Sequence, residues 1–277
     1  MTEYKGRKFK LNNIKCEPIR ERGRIFIKTN DIKKGLIVLK KVFGITSFSP
    51  SIKTKSNINN MISYAIDISK KMLNKDKSFA LRVNRVGDHT FSSQDVAIKI
   101  GNKIVDETKA RVDLNNPDFE LFIDIRFDDV YFFTKKIIGL GGLPYGTQGN
   151  ILALINDTKS ILAAWYLMRR GCNIIFLNTK NQTIKPLNSF SLHWYLKPDI
   201  INLSITDNNI YETINKIANE KSCYAIVTGH SLNKDSMKII SDIKKINQQI
   251  NYPILHPLIS MNQDEINKKC EKVGIKI

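Results

Sequence analysis

The chain holds 277 residues, room for about two domains of roughly 150 residues each and for a core that needs no disulfide or metal staple. Apolar residues at 42% and charged residues at 25% exclude a wholly disordered chain, and no apolar run reaches the ~20 residues of a membrane span. Forty-four Lys/Arg against 26 Asp/Glu leave a net charge of +18, an excess that draws a polyanion, of which nucleic acid is the commonest.

A lysine-rich composition bias would raise the charge as well, but the charge is unevenly placed. Residues 1–41 carry thirteen Lys/Arg and four Asp/Glu, a net +9, which is half of the excess. The opening Met1-Thr-Glu-Tyr-Lys lacks the apolar stretch of a signal peptide, so a cytoplasmic location is expected and no membrane partner. Cys16, Cys172, Cys223 and Cys270 stand far apart without a C-x-x-C pair, which argues against a disulfide framework and against structural zinc.

Residues 1–35 are basic and poor in apolar periodicity, apart from Gly23-Arg-Ile-Phe-Ile-Lys28, which alternates like a single strand. They read as an appendage or a reduced small domain. Residues 36–137 mix helix and strand. Ile62, Ala65, Ile66, Met72 and Leu73 predict a helix over 61–73. Phe79, Leu81 and Val83 predict a strand over 79–84 with Arg82 on its other face. Ser93 is placed to cap a helix whose inward stripe is Val96, Ala97, Ile100, Ile104 and Val105. Asn115-Asn-Pro-Asp118 makes a turn into a strand over 119–125, and another strand covers 130–134. Antiparallel-looking strands interleaved with helices make this region α+β.

Five of the fourteen glycines fall within residues 139–149, which marks residues 138–150 as a linker. Beyond it strands (151–155, 173–177, 200–205, 223–229) alternate with helices (158–170, 208–219). That rhythm predicts an α/β domain, residues 151–277, with a parallel sheet covered by helices.

Several strings, in this order and spacing, resemble one family. They are Phe43-Gly-Ile-Thr-Ser-Phe-Ser-Pro50, Phe79-Ala-Leu-Arg-Val-Asn-Arg85, Val112-Asp-Leu-Asn-Asn-Pro-Asp118, Gly141-Gly-Leu-Pro-Tyr-Gly-Thr147, Tyr166-Leu-Met-Arg-Arg-Gly171, Ala225-Ile-Val-Thr-Gly229 and His256-Pro-Leu-Ile259. Over roughly residues 20–277 the chain is similar to the tRNA 4-thiouridine synthetases, or tRNA sulfurtransferases. The resemblance implies a reduced ferredoxin-like N-terminal segment, an RNA-binding THUMP domain over 36–137 and a Rossmann-like PP-loop ATP pyrophosphatase domain. In that family the THUMP domain grips tRNA, the PP-loop domain adenylates a uridine with ATP, and a persulfide delivers the sulfur. The implied partner is therefore tRNA. Arg82 and Arg85, on a strand whose other face is apolar, with Lys109, Arg111 and Arg126 from neighbouring elements, are the candidate RNA contacts, because guanidinium groups fork onto phosphates. The alternative for them is a solvated face paired with Asp88, Asp106 and Glu107. Asp118 and Pro117 are assigned to turn geometry.

The PP-loop half departs from the family pattern. Family members carry Ser-Gly-Gly-x-Asp-Ser after the first strand, where backbone N–H groups approach the pyrophosphate of ATP. Here Leu154-Ile155 is followed by Asn156-Asp-Thr-Lys-Ser160, without the glycines and with Lys159 for the motif aspartate. A second family motif, Thr-Gly-Glu-Ser-Leu-Gly-Gln, becomes Thr228-Gly-His-Ser-Leu-Asn-Lys234. His230 there reads as a turn histidine rather than a general base. Leu154, Ile155 and Gly229 are the expected remnants of an ATP site. None of the four cysteines falls at the family's sulfur-carrying position, so no catalytic residue is assigned. Three readings remain open. The first is a tRNA-binding protein with a degenerate ATP loop, needing no cofactor and working with a sulfur-donor or modification-complex protein. The second is an active sulfurtransferase using ATP, magnesium and a partner's sulfur. The third is a basic ribosome-associated protein.

Overall fold

The computed structural model describes residues 14–21, 23–179, 184–203, 210–232 and 235–275. Two compact units emerge: one is Ser47–Ile138, and the other joins residues before 47 to those from 139 onward.

The chain enters through a ribbon, β1 (Cys16–Glu21) paired antiparallel with β2 (Arg24–Thr29). The first of these strands has no legible alternation in the sequence. Helix α1 (Ile32–Leu39) follows, its first turn capped by Asp31, whose carboxylate accepts from Lys34 N at 3.0 Å. Ile14 and Val38 are buried together, with Cys16, Ile27, Leu39 and Tyr195 packed around them. From the sequence alone, residues 36–46 group with the α+β region. They belong instead to the other unit, because Val42 and Phe43 are fully buried and Phe43 lies in the α/β core, stacked on Trp194 at 5.3 Å.

In the unit Ser47–Ile138, a short pair β3 (Ser47–Phe48) and β9 (Ile137–Ile138) brackets β4 (Ile52–Lys55), α2 (Ile58–Lys70), β5 (Ser78–Val86), α3 (Ser93–Thr108), β6 (Arg111–Val112), β7 (Phe119–Arg126) and β8 (Asp129–Phe133). The main sheet runs β4-β8-β7-β5-β6. It is mixed rather than antiparallel: β5 is parallel to both β6 and β7, while β7–β8 and β4–β8 are antiparallel. Parallel neighbours need crossovers, and α3 supplies the one leaving β5. Its cap is Ser92, one residue before the expected serine, in a capping box with Asp95. Helices α2 and α3 cover one sheet face, burying Met61, Ala65, Val96, Ile100 and Ile104 against Phe79, Leu121, Ile123, Ile125, Val130 and Phe132. Alternation leaves Arg82, Glu120, Phe122 and Asp124 on the opposite face.

From residue 139 the glycine-rich stretch is tied to the α/β unit, not strung between units. Leu143 N donates to Arg169 O and Thr147 N to Gly171 O, and a Cβ on Gly142 (φ +75°) would come within 2.1 Å of Arg169 O. Then follow β10 (Asn150–Ile155), α4 (Thr158–Arg169), β11 (Asn173–Asn178), α5 (Ile184–His193), β12 (Asp199–Asn202), α6 (Ile210–Glu220), β13 (Cys223–Val227), α7 (Ser236–Gln249), β14 (Ile254–Leu255) and α8 (Gln263–Lys272). All five strands are parallel in the order β12-β11-β10-β13-β14. Strand β10 alternates between two cores: Ile151, Ala153 and Ile155 join Ile161, Leu162, Trp165, Phe190 and Ile266, while Leu152 joins Ile175, Ile214 and Ala218. Helices therefore cover both faces of a doubly wound sheet, as the α/β reading requires. The strand order reverses between β10 and β13, and the crevice beyond their carboxyl ends is where such sheets take ligands.

Candidate functional site

That crevice is lined by the segments that follow β10, β13 and β14. Asp157 caps α4: its Oδ1 accepts from Ser160 N at 2.8 Å and from Ser160 Oγ at 2.7 Å, and Ser160 Oγ also lies 2.6 Å from Asn156 Oδ1. A helix N-terminus attracts an anion, and the carboxylate of Asp157 is the anion held here. Gly229 closes on the same turn. A Cβ built on it would sit 2.6 Å from Ser160 N and 2.9 Å from the carbonyl carbon of Lys159, so close helix–strand packing alone demands glycine there. Leu154 and Ile155 are core residues: Ile155 is buried, and its carbonyl accepts from Thr179 N and Thr179 Oγ1. Gly229 thus packs on the first turn of α4, while the side chains of Ile155 and Leu154 join the cores on the two faces of the sheet.

One amide of this helix terminus, Ser160 N, is already bonded to a carboxylate, and Asn156 and Asp157 stand in the loop where the family motif has glycines.

The sequence reading missed what stands beside the loop. Thr228 Oγ1 lies 2.8 Å from His230 Nδ1 and 2.7 Å from His256 Nδ1, and the two rings are 5.3 Å apart. One hydroxyl has one proton, so it can donate to no more than one of the two imidazoles, and at least one ring must donate its Nδ1–H to the oxygen. His230 is therefore not a free turn residue. Burial lowers both histidine pKa values; Asp242 and Asp157 partly oppose the shift at His230, and His230 adds to it at His256. The Nε2 of His256 is buried without a partner among the described residues, which further disfavours a charge there. Parallel strands bring residues 28 apart together, which no local spacing announces.

A prediction follows from the sign of these shifts. The unfolded histidines titrate near pH ~6.5, whereas the folded ones hold their proton only at lower pH. The unfolded chain then binds more protons, so this contribution to stability is complete above pH ~6.5 and declines as the pH falls below it. Thermal midpoints of the wild type should drop between pH ~6.5 and ~5, and the His230→Gln/His256→Gln variant should show a shallower drop over that window.

Burial disfavours the thiolate at the three buried cysteines. It raises Cys172 and Cys223, and pushes Cys270 up to about 11. Among the described residues no group of three or more His, Cys, Asp or Glu could hold a metal ion.

On the Ser47–Ile138 unit the five basic candidates separate. Arg82 and Arg85 stand three apart on an unbroken strand and so occupy opposite faces; the single basic face of the sequence reading does not form. Arg82 Nε donates to Glu120 Oε1 at 2.8 Å and its Nη2 to Leu114 O at 2.9 Å. Arg85 Nη1 donates to Gly87 O at 2.9 Å. Arg126 forms a buried ion pair with Asp124 at 3.0 Å, which Asn84 supports through its own bond to Asp124. Lys109 and Arg111 are exposed. Residues 47–138 carry fifteen Lys/Arg and twelve Asp/Glu, so most of the positive excess lies elsewhere in the chain.

No helix among the described residues is long and apolar enough to cross a membrane. Residues 55–135 match the THUMP domain model, and residues 197–276 match that of the thiamine biosynthesis protein ThiI. A probable tRNA sulfurtransferase of Methanothermobacter thermautotrophicus is 32% identical, over 95% of this chain and 78% of its own length. The corresponding protein of Methanocaldococcus jannaschii is 34% identical, over 91% and 76%. Two solved structures share the fold at a TM-score of 0.81: PH1313 from Pyrococcus horikoshii Ot3 (24% identity, 99% of this chain, 91% of that one) and a 4-thiouridine synthetase in complex with RNA and bound ATP (21%, 98% and 79%). With its α+β THUMP unit, its doubly wound ThiI-type unit and relatives of this identity along nearly its whole length, the chain belongs to the tRNA sulfurtransferase family.

Proposed function

We propose that this chain is a tRNA-binding member of its family that does not itself turn over ATP. The observation that carries this reading is the bond from Ser160 N to Asp157 Oδ1, which fills the helix terminus with the protein's own carboxylate. Binding to folded tRNA rests on the THUMP unit, on exposed Lys109 and Arg111, and on the basic residues outside 47–138. The chain works as a binding module, and a separate sulfur-donor or modification-complex protein supplies the chemistry. A second reading, an active sulfurtransferase using ATP and magnesium, is favoured by the retained crevice at the strand-order reversal and by the ATP in the related 4-thiouridine synthetase.

The test is tRNA affinity at ~50 and ~200 mM salt, each with and without ATP and magnesium. Phosphate-dominated binding predicts a fall of about 10³-fold or more across that range through counterion release. It also predicts no change on adding nucleotide. Salt-independent affinity would contradict the phosphate contacts, and tighter binding with ATP would favour the second reading.

A further inference from the structure

We infer that Arg82 is a positioning residue and that the loop 113–118, which it holds, is the part of the THUMP unit that touches RNA; this rests on the RNA-binding reading above. Strand β6 is at the sheet edge and β7 lies on the far side of β5. The six residues between them must therefore step over β5. They do so on the face opposite the helices, where Arg82 reaches Leu114 O. Glu120, on the same face of β7, accepts from Nε of the same guanidinium.

The loop is fixed at both ends. Asp113 Oδ1 accepts from Asn115 N at 3.0 Å and Asn116 N at 2.9 Å. Asp118 Oδ2 accepts from Ser78 N at 2.8 Å and Ser78 Oγ at 2.9 Å. These bonds to backbone and hydroxyl donors lower both carboxyl pKa values. Both acids are thus committed to holding the loop, Asp113 from within it and Asp118 against β5. What the loop presents outward is apolar and amide: Leu114 is 61% exposed, Val112 beside it 55%, and Asn115 and Asn116 are exposed as well.

A rigid loop that shows large aliphatic and amide side chains to solvent does nothing for its own core. It is suited to bases, which take apolar packing on their faces and amide hydrogen bonds on their edges. Around it Lys109 and Arg111 are exposed, and Arg111 and Lys77 act electrostatically on Asp118. Lys109 holds a left-handed conformation (φ +58°) at the end of α3 that Gly or Asn would adopt at less cost. A lysine kept there favours a polyanion as occupant. An apolar protein surface would gain nothing from the two asparagines flanked by cations.

The two roles for Arg82 differ in salt dependence. A residue that contacts phosphate lowers the slope of log K against log salt by about one when removed, whereas one that positions a loop lowers affinity and leaves the slope unchanged. With an in vitro tRNA transcript as probe, Arg82→Ala and Leu114→Ala should each weaken binding about tenfold at constant slope. Arg82→Lys, which keeps the charge but not the two-sided grip, should not restore affinity. Arg111→Ala should reduce the slope. Leu114 is exposed, so its variant reports on the loop even if Arg82→Ala perturbs folding. A slope reduced by about one in Arg82→Ala, or rescue by Lys, would overturn the positioning role. Unchanged affinity in Leu114→Ala would overturn the loop contact while leaving RNA binding intact. If the wild-type chain bound no transcript, the underlying reading would fall and the loop with it.

Discussion

Titrated calorimetrically with ATP and magnesium, the purified protein should show no saturable binding up to millimolar nucleotide. Two effects act in the same direction. The Asp157 carboxylate sits on Ser160 N, so an incoming phosphate would have to displace it and then lie beside a like charge. The side chains of Asn156 and Asp157 also fill space that a glycine loop leaves to the ligand. Lys159 opposes the charge but cannot restore the backbone path. Asp157→Gly should fold, since an Asp-to-Gly change at an N-cap costs only a few tenths of a kcal/mol. If the carboxylate is the main obstacle, that variant should gain weak heats at high nucleotide. It should still form no thiolated product, because burial raises the thiol pKa of Cys172 and Cys223 and pushes Cys270 up to about 11, away from the thiolate a sulfur carrier needs. Saturable micromolar binding by the wild type would contradict this account.

Phe43→Ala should remove about 3–5 kcal/mol of stability, a large part of the roughly 5–15 kcal/mol that holds a domain together. Phe43 is fully buried, stacked on Trp194 at 5.3 Å and 6.2 Å from Trp165, and Trp194 is itself pinned by its bond to Val273 O. Its ring is thus part of the α/β core rather than of the neighbouring unit. Urea unfolding of the variant should show a lower midpoint at unchanged slope. A chain begun at Asp31 retains the cap of α1 and Phe43, and should still unfold cooperatively while binding tRNA more weakly for want of the basic residues before it. A chain begun at Ser47 should not. Equal stability of the Ser47 chain and the full chain would refute the placement of Phe43.

The sequence made the α/β half legible because buried parallel strands are apolar runs and the helices between them carry strong periodic stripes, as at 151–155 and 158–170. Arg82 and Arg85 show a different limit. Strand alternation by itself separates residues three apart, and grouping them as one basic face ignored a period that the sequence displays. The stacking of Phe43 on Trp194, and the meeting of His230 with His256 at Thr228, depend on topology that no local window contains. Nor does composition say which cations are already occupied. Arg126 looks like a phosphate ligand until Asp124 is found beside it in the fold.

The most direct test is a thiolation assay with the purified chain, unmodified tRNA, ATP, magnesium and a sulfide donor, read as 4-thiouridine in the digested RNA. No 4-thiouridine is expected to form. ATP-dependent formation of 4-thiouridine, abolished by Lys159→Ala, would contradict it.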